Sequence, residues 1–157
     1  MDNETPSTPR GIVWASFVLS IVGVAISTYL TIAHYKGVTF FACPDQGLIN
    51  CATVTTSAQS KFLGLPVSNL GLAFFLAMVV INSPWVWRRN SLLLDRIRAA
   101  SLLSGMGFVL WLIAAELLII DHICLWCTGV HVVTFALLIV VSRTWSSALF
   151  RLSLIHI

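Results

Sequence analysis

The stretch IDHICLWCTGVHVVTFALLIVV, residues 120–141, joins a C-x-x-C pair to a long apolar run. The run is close to the roughly 20 residues that a helix needs to cross the hydrocarbon core of a bilayer. Cys124 and Cys127 stand at its start, and His131 follows one helical turn after Cys127. The stretch therefore predicts a membrane-spanning helix with two thiols at its water-facing end.

Three further apolar segments of similar length precede this one. The four predicted spans lie at about residues 12–34, 67–87, 99–120 and 123–142. The chain is 58% hydrophobic and only 10% charged, whereas soluble domains carry about 25% charged residues. The composition excludes an ordinary soluble protein. It predicts an all-α membrane protein, a four-transmembrane-helix bundle that forms a single domain over residues 1–151.

The last six residues of the chain are left out of this fold prediction. We treat residues 152–157, LSLIHI, as a candidate non-native tail, so the natural chain is free to continue past Arg151.

The basic residues divide unequally between the connections. The arginines precede the first span, separate the second from the third, or follow the fourth: Arg10, Arg88, Arg89, Arg96, Arg98, Arg143 and Arg151. Only Lys36 and Lys61 fall in the other connections. Because Lys and Arg accumulate in cytoplasmic loops, both termini are predicted to be cytoplasmic. With four spans, all four cysteines then lie on the outer face.

The other two cysteines, Cys43 and Cys51, lie in the polar loop after the first span. Thiols outside the cytoplasm meet an oxidising environment, so the four cysteines indicate two disulfides or one exchanging set. At a helix N-terminus, unpaired N–H groups lower the pKa of a thiol and favour the thiolate. Inert packing of the helical cysteines is one alternative. A four-sulfur zinc site is another, although the C-x7-C spacing of the loop pair is unusual for zinc ligands.

The segment ATVTTSAQSKFLG, which follows Cys51, mixes small polar residues with a few hydrophobic ones. This composition predicts a short helix that lies along the membrane surface. Such a helix would cap the outer end of the bundle, above a dry cavity that the C-x-x-C pair faces.

Together these features resemble the vitamin K epoxide reductase family, in its bacterial disulfide-forming membrane branch. The resemblance covers about residues 12 to 142. It rests on CPDQGLINC, on Ser57 six residues after Cys51, on LGLPVSNLGL before and within the second span, and on ICLWC at the start of the fourth. The order of the pairs is informative, because Dsb-type quinone reductases carry their C-x-x-C pair in an earlier outer loop.

The resemblance implies a thiol:quinone oxidoreductase of the bacterial cytoplasmic membrane that supports disulfide bond formation. It would reoxidise an extracytoplasmic thioredoxin-like protein of the DsbA type, here a separate protein. Electrons would pass through Cys43 and Cys51, then through Cys124 and Cys127, to a quinone, either menaquinone or ubiquinone. One alternative is reduction of a quinone epoxide by the same cysteines. Another is a non-catalytic membrane subunit that its disulfides hold together.

The resemblance also implies contacts to the quinone, and no metal. His131 stands where the family has a hydrogen-bonding aromatic residue, often Tyr, so we expect it to donate to a quinone carbonyl. Asn69 or Ser68 is expected at the other end of the ring. Ser57 is a further candidate, with helix capping as its structural alternative. Three side chains near the outer end of the third span are candidates to supply protons: Glu116, Asp121 and His122.

Overall fold

The structure, a computed structural model, describes residues 8–37, 42–43, 47–89 and 91–145. The helices are α1 (Arg10–Lys36), α2 (Cys51–Thr56), α3 (Val67–Ile81), α4 (Pro84–Trp87), α5 (Leu92–Ala115) and α6 (Leu125–Ser142). A 3-10 helix, Ala58–Ser60, leads into a two-stranded antiparallel hairpin of β1 (Lys61–Phe62) and β2 (Leu65–Pro66). A π-helical segment, Glu116–Ile120, extends α5. The candidate tail, residues 152–157, lies outside the described residues.

Three of these helices are long and apolar enough to cross a membrane, namely α1, α6 and α5 with its π-helical extension. They indicate a membrane protein. The predicted second span, residues 67–87, is divided: α3 has only 15 residues and α4 begins at Pro84. Ser83 separates the two helices because its side chain accepts a hydrogen bond from the Val86 N–H, which favours a new helix start. The count of four spans therefore stays a prediction.

Helix α1 packs closely against α3 through small side chains. The Cβ that an alanine at Gly23 would add lies 2.1 Å from a ring carbon of Phe75, so only glycine leaves room for that ring. One turn earlier, the Ser20 hydroxyl accepts a 3.1 Å hydrogen bond from the amide of the fully buried Asn82. Close approach through small residues is a common way to pack helices in membranes.

Helix α5 begins at Leu92 rather than near residue 99, and it therefore includes Arg98. The Arg98 side chain is buried, donates to the Ile81 carbonyl at 2.8 Å and to Asp95 at 2.6 Å, and stacks over Trp87 at 3.6 Å. A charge that is paired and stacked in this way can lie inside a helix bundle. The predicted start of the third span, near residue 99, stays a prediction, because a helix can begin before it enters the membrane.

One half of the bundle is an apolar core, whereas the half nearer to α2 holds a cavity. The buried side chains of that core come from α3, α5 and α6: Phe75, Met78, Leu102, Val133, Leu137 and Val141. At the cavity end, α2 and the hairpin occupy the segment for which the sequence predicts a short surface helix. This arrangement puts all four cysteines near one end of the molecule.

Candidate active site

The loop cysteines, Cys43 and Cys51, form a disulfide, with their Cα atoms 6.1 Å apart. Cys51 is the first residue of α2 and only 1% exposed. Asn50 fixes this helix start, because its side-chain oxygen accepts a 2.8 Å hydrogen bond from the Thr53 N–H. The loop disulfide is thus held at the end of a short helix, and its inner sulfur is shielded from solvent.

The helical cysteines, Cys124 and Cys127, are both free thiols at the start of α6. The backbone N–H of Cys127 donates a 3.2 Å hydrogen bond to Cys124 Sγ. Cys124 precedes the apolar helix and is fully buried. Cys124 is therefore the thiol that stands at the N-terminal edge of α6, with a backbone N–H aimed at its sulfur.

A short backbone bridge brings the two pairs together. Ile49 and Ile123 pair in parallel: the Ile123 N–H donates to the Leu48 carbonyl at 2.8 Å, and the Asn50 N–H donates to the Ile123 carbonyl at 3.1 Å. Cys51 directly follows Asn50, just as Cys124 follows Ile123. Both sulfurs consequently belong to one apolar cluster, in which Cys51 and Cys124 pack with Leu30 and Val54.

Two aromatic side chains also hold the loop. The Ala42 N–H donates to Tyr29 Oη at 2.8 Å, and Trp126 Nε1–H donates to the Ala42 carbonyl at 3.2 Å. The two rings contact each other, with centroids 4.4 Å apart. The sequence analysis missed this contact, because the pairing of Tyr29 with Trp126 depends on the packing of α1 against α6.

A cavity of about 690 Å³ lies between α1, α3, α5 and α6, below α2. Most of its wall is apolar, and its volume is within the usual range for a small-molecule site. The described residues that line it include Cys127 but not Cys124. The two thiols of the C-x-x-C pair thus have different surroundings, since one faces the loop disulfide and the other faces the cavity.

Few polar side chains interrupt the cavity wall. His131, 7% exposed, lines it from α6 one turn below Cys127. Ser57 also lines it, with its hydroxyl donating to the Val54 carbonyl at 2.7 Å. The buried hydroxyls of Ser27 and Ser68 line it as well and have no hydrogen-bond partner among the described residues. Buried polar atoms are nearly always hydrogen-bonded, so these two oxygens are open to a ligand.

The sequence analysis left Asn69 and Ser68 as alternatives on α3, and the structure separates them. Ser68 lines the cavity, whereas Asn69 is not among the described residues that line it. The Asn69 side-chain amide donates to Tyr35 Oη at 2.9 Å. Ser27 was missed altogether, because nothing in the sequence of α1 distinguishes it from Ser16 and Ser20, whose hydroxyls are hydrogen-bonded.

The three candidates for supplying protons also separate. Glu116 is 6% exposed, lines the cavity and lies close enough to both thiols to interact with them electrostatically. Asp121 is exposed, with a left-handed backbone (φ 54°). His122 Nδ1 lies 2.8 Å from the Ile120 carbonyl oxygen. Of the three, only Glu116 is among the described residues that line the cavity.

The residues present fit a quinone. A flat apolar ring requires an apolar cavity, and its two carbonyl oxygens require a small number of hydrogen-bond donors, which His131, Ser27 and Ser68 offer. Within residues 8–37, 42–43, 47–89 and 91–145, no group of three or more His, Cys, Asp or Glu side chains is arranged to hold a metal ion.

The protein is a helical membrane protein in which a disulfide packs against a free dithiol, and one of these thiols lines an apolar cavity; these are the features of the class of membrane thiol-redox proteins. The model of the vitamin K epoxide reductase family matches residues 14–142, and the chain is therefore a member of that family. A comparison with curated proteins gave no match. Membership implies an oxidoreductase with quinone-linked disulfide chemistry, since members of the family act with quinones.

Proposed function

We propose that the protein is a thiol:quinone oxidoreductase that reoxidises an extracytoplasmic thioredoxin-like protein of the DsbA type. One observation carries the proposal: Cys124 packs with Cys51 of the loop disulfide, while Cys127 lines the cavity. Because its two thiols face different sites, the C-x-x-C pair can accept electrons from the loop disulfide and release them into the cavity. Cysteines that only pack in the core would not need to face two different sites.

The relay consists of thiol–disulfide exchanges. The partner's dithiol reduces Cys43–Cys51 and becomes a disulfide. The Cys51 thiolate then attacks Cys124 of an oxidised Cys124–Cys127 pair, which releases Cys127 as a thiolate. Attack of Cys43 on Cys51 restores the loop disulfide and leaves both helical cysteines reduced. In this relay, the loop pair is oxidised and the helical pair is reduced just before electrons leave the protein.

A bound quinone would supply the two-electron acceptor. The protein's own residues hold it and manage the protons. Its oxygens would be held by His131, Ser27 and Ser68. Ser57 would form part of the cavity wall next to α2. Glu116 would move the proton from Cys127 toward the ring, because it alone of the three acid–base candidates lines the cavity.

The proposed setting is the bacterial cytoplasmic membrane, with both termini in the cytoplasm and the cysteines on the outer face. In this topology α3 and α4 together serve as the second of four spans, and α2 with the hairpin caps the quinone site. The exposed arginines Arg88 and Arg89, between α4 and α5, support this orientation because basic residues favour the cytoplasmic side.

The decisive experiment is quinone reduction by the purified protein, with a reduced thioredoxin-like donor. Wild type is compared with Cys127→Ser and Cys51→Ser. We expect turnover in wild type and none in Cys127→Ser. Cys51→Ser should work only with a small permeant thiol, which can reach the helical pair directly. If all three proteins behave alike, or none reduces quinone, the cysteines are structural and the proposal is wrong.

A further inference from the structure

The aromatic contact at Ala42 holds both backbone polar groups of one loop residue. Tyr29 Oη accepts from the Ala42 N–H, and Trp126 Nε1–H donates to the Ala42 carbonyl. These donors and acceptors come from two different helices, α1 and α6. A single loop residue that is held from both sides, by side chains that also contact each other, has little freedom to move.

The position of this contact links it to the cysteines. Ala42 directly precedes Cys43, and Trp126 stands between Cys124 and Cys127. The clamp, defined here as Tyr29 and Trp126, therefore restrains the outer sulfur of the loop disulfide. The inner sulfur is restrained independently, through the bridge between Ile49 and Ile123. Cys43 and Cys51 are thus held beside each other by separate contacts.

We propose that Tyr29 and Trp126 are positioning residues that set the ratio of two disulfides, the one that Cys51 forms with Cys43 and the one that it forms with Cys124. The role of these residues in the relay rests on the proposed function, whereas the experiment that tests them does not require that function. In the step concerned, the Cys124 thiolate attacks Cys51 Sγ. The Cys51–Cys124 bond forms and the Cys43–Cys51 bond breaks. Cys43 leaves as a thiolate and takes up the proton that Cys124 lost, so no electrons are gained or lost overall.

The clamp acts on this exchange through effective concentration. While Ala42 is held, the Cys43 sulfur stays near Cys51 and competes well with Cys124. When one hydrogen bond of the clamp is removed, Cys43 samples a larger volume after it leaves, and the return reaction becomes less favourable. Each lost hydrogen bond should shift the ratio of the two disulfides by about fivefold.

The test uses the full chain in a Cys127→Ser background, which leaves only Cys43, Cys51 and Cys124. The protein is equilibrated in a glutathione buffer and quenched with acid. Free thiols are then alkylated, and the two disulfides are quantified by mass spectrometry of the peptides. Tyr29→Phe and Trp126→Phe each remove one polar group and keep an aromatic ring. We expect each to lower the ratio of Cys43–Cys51 to Cys51–Cys124 by about fivefold.

The matched control is Tyr35→Phe, which removes the same group from the same helix. Tyr35 Oη accepts from Asn69 and has no hydrogen bond to Ala42 among the described contacts, so its loss should leave the ratio unchanged. The thermal midpoint of each variant is measured alongside. A merely structural role would lower the midpoint of Tyr29→Phe or Trp126→Phe and leave the disulfide ratio as in the parent.

An unchanged ratio in both clamp variants would overturn the inference. The measurement contains neither quinone nor donor protein, so it remains valid even if the protein fails to reduce quinone. Conversely, if wild type reduces quinone and the disulfide ratio is unchanged in the variants, the inference about the clamp is wrong and the proposed function stands.

Discussion

At the scale of single residues, the site consists of isolated polar groups in an apolar wall. Each has a distinct environment. The Ser27 hydroxyl is buried and without a partner among the described residues, whereas the Ser20 hydroxyl, on the same helix, is bonded to Ser16 and Asn82. Glu116 is buried at the cavity, whereas Asp121 is exposed. These contrasts supply matched pairs of variants.

The first prediction concerns Ser27→Ala. Removing an unbonded buried hydroxyl relieves a desolvation cost, so the free energy of unfolding without quinone should stay equal or rise by about 1 kcal/mol. If the hydroxyl donates to the quinone, the KM for quinone should rise about fivefold, which corresponds to the loss of one hydrogen bond. Steady-state kinetics and thermal unfolding measure the two effects.

Ser20→Ala is the control for this change. Its hydroxyl is bonded to Ser16 in α1 and to Asn82, just after α3, and it is not among the described residues that line the cavity. We expect a loss of stability of about 1 kcal/mol with an unaltered KM. An equal KM for quinone in Ser27→Ala and wild type would show that Ser27 does not bind the quinone.

The second prediction concerns Glu116→Gln, which keeps the size of the side chain and removes its acid–base function. Quinol formation should slow by at least about a hundredfold, because positioned general acid–base groups contribute 100-fold to 10,000-fold. Asp121→Asn is the control, since asparagine tolerates the left-handed backbone there. Similar rates of quinol formation in Glu116→Gln and wild type would show that protons arrive by another route.

At the scale of elements, α1 and α3 approach each other closely at Gly23. The third prediction is that Gly23→Ala destabilises the protein by about 1–3 kcal/mol, because the added Cβ overlaps the Phe75 ring. Gly107→Ala is the control: its Cβ would meet nothing within 4 Å, and alanine favours a helix. Thermal unfolding in detergent measures both. Equal stability of the two variants would mean that α1 and α3 are less tightly packed than described.

The elements also show where sequence reasoning succeeds and where it stops. Apolar length alone locates α1, α6 and most of α5, because the bilayer demands a continuous apolar run. Helix α5 begins at Leu92, before the predicted third span, and the contacts of Arg98 with Asp95 and Trp87 could not be predicted because they depend on tertiary packing. The division of the second segment at Asn82 and Ser83 was not predicted from the sequence.

The same limit applies within the site. The linear order of cysteines indicates a loop pair and a helical pair, since spacing is visible in a sequence. Their relative placement is not visible, because the bridge between Ile49 and Ile123 joins residues far apart in the chain. The choice of Ser68 over Asn69 likewise depends on the rotation of α3 about its axis, which a short apolar helix leaves undetermined.

At the scale of the whole molecule, the proposed topology makes the fourth prediction. The chain has only two lysines, Lys36 and Lys61, and both should face outward. A membrane-impermeant amine reagent applied to intact cells should therefore label both, and the double variant Lys36→Arg, Lys61→Arg should lose that signal. Arg88→Lys in this double variant should restore side-chain labelling only after the cells are permeabilised. Labelling of Arg88→Lys in intact cells would reverse the assigned orientation.

The hydrogen bond from the Cys127 N–H to Cys124 Sγ has a consequence for the backbone. Cys124 occupies the position where Ser, Thr, Asp or Asn usually caps a helix. A thiolate is a stronger acceptor than a disulfide sulfur, so the first turn of α6 is held most firmly when Cys124 is reduced. Oxidation of Cys124 loosens this end of the helix. The rate of amide hydrogen exchange at Cys127 should consequently report whether Cys124 is reduced or oxidised.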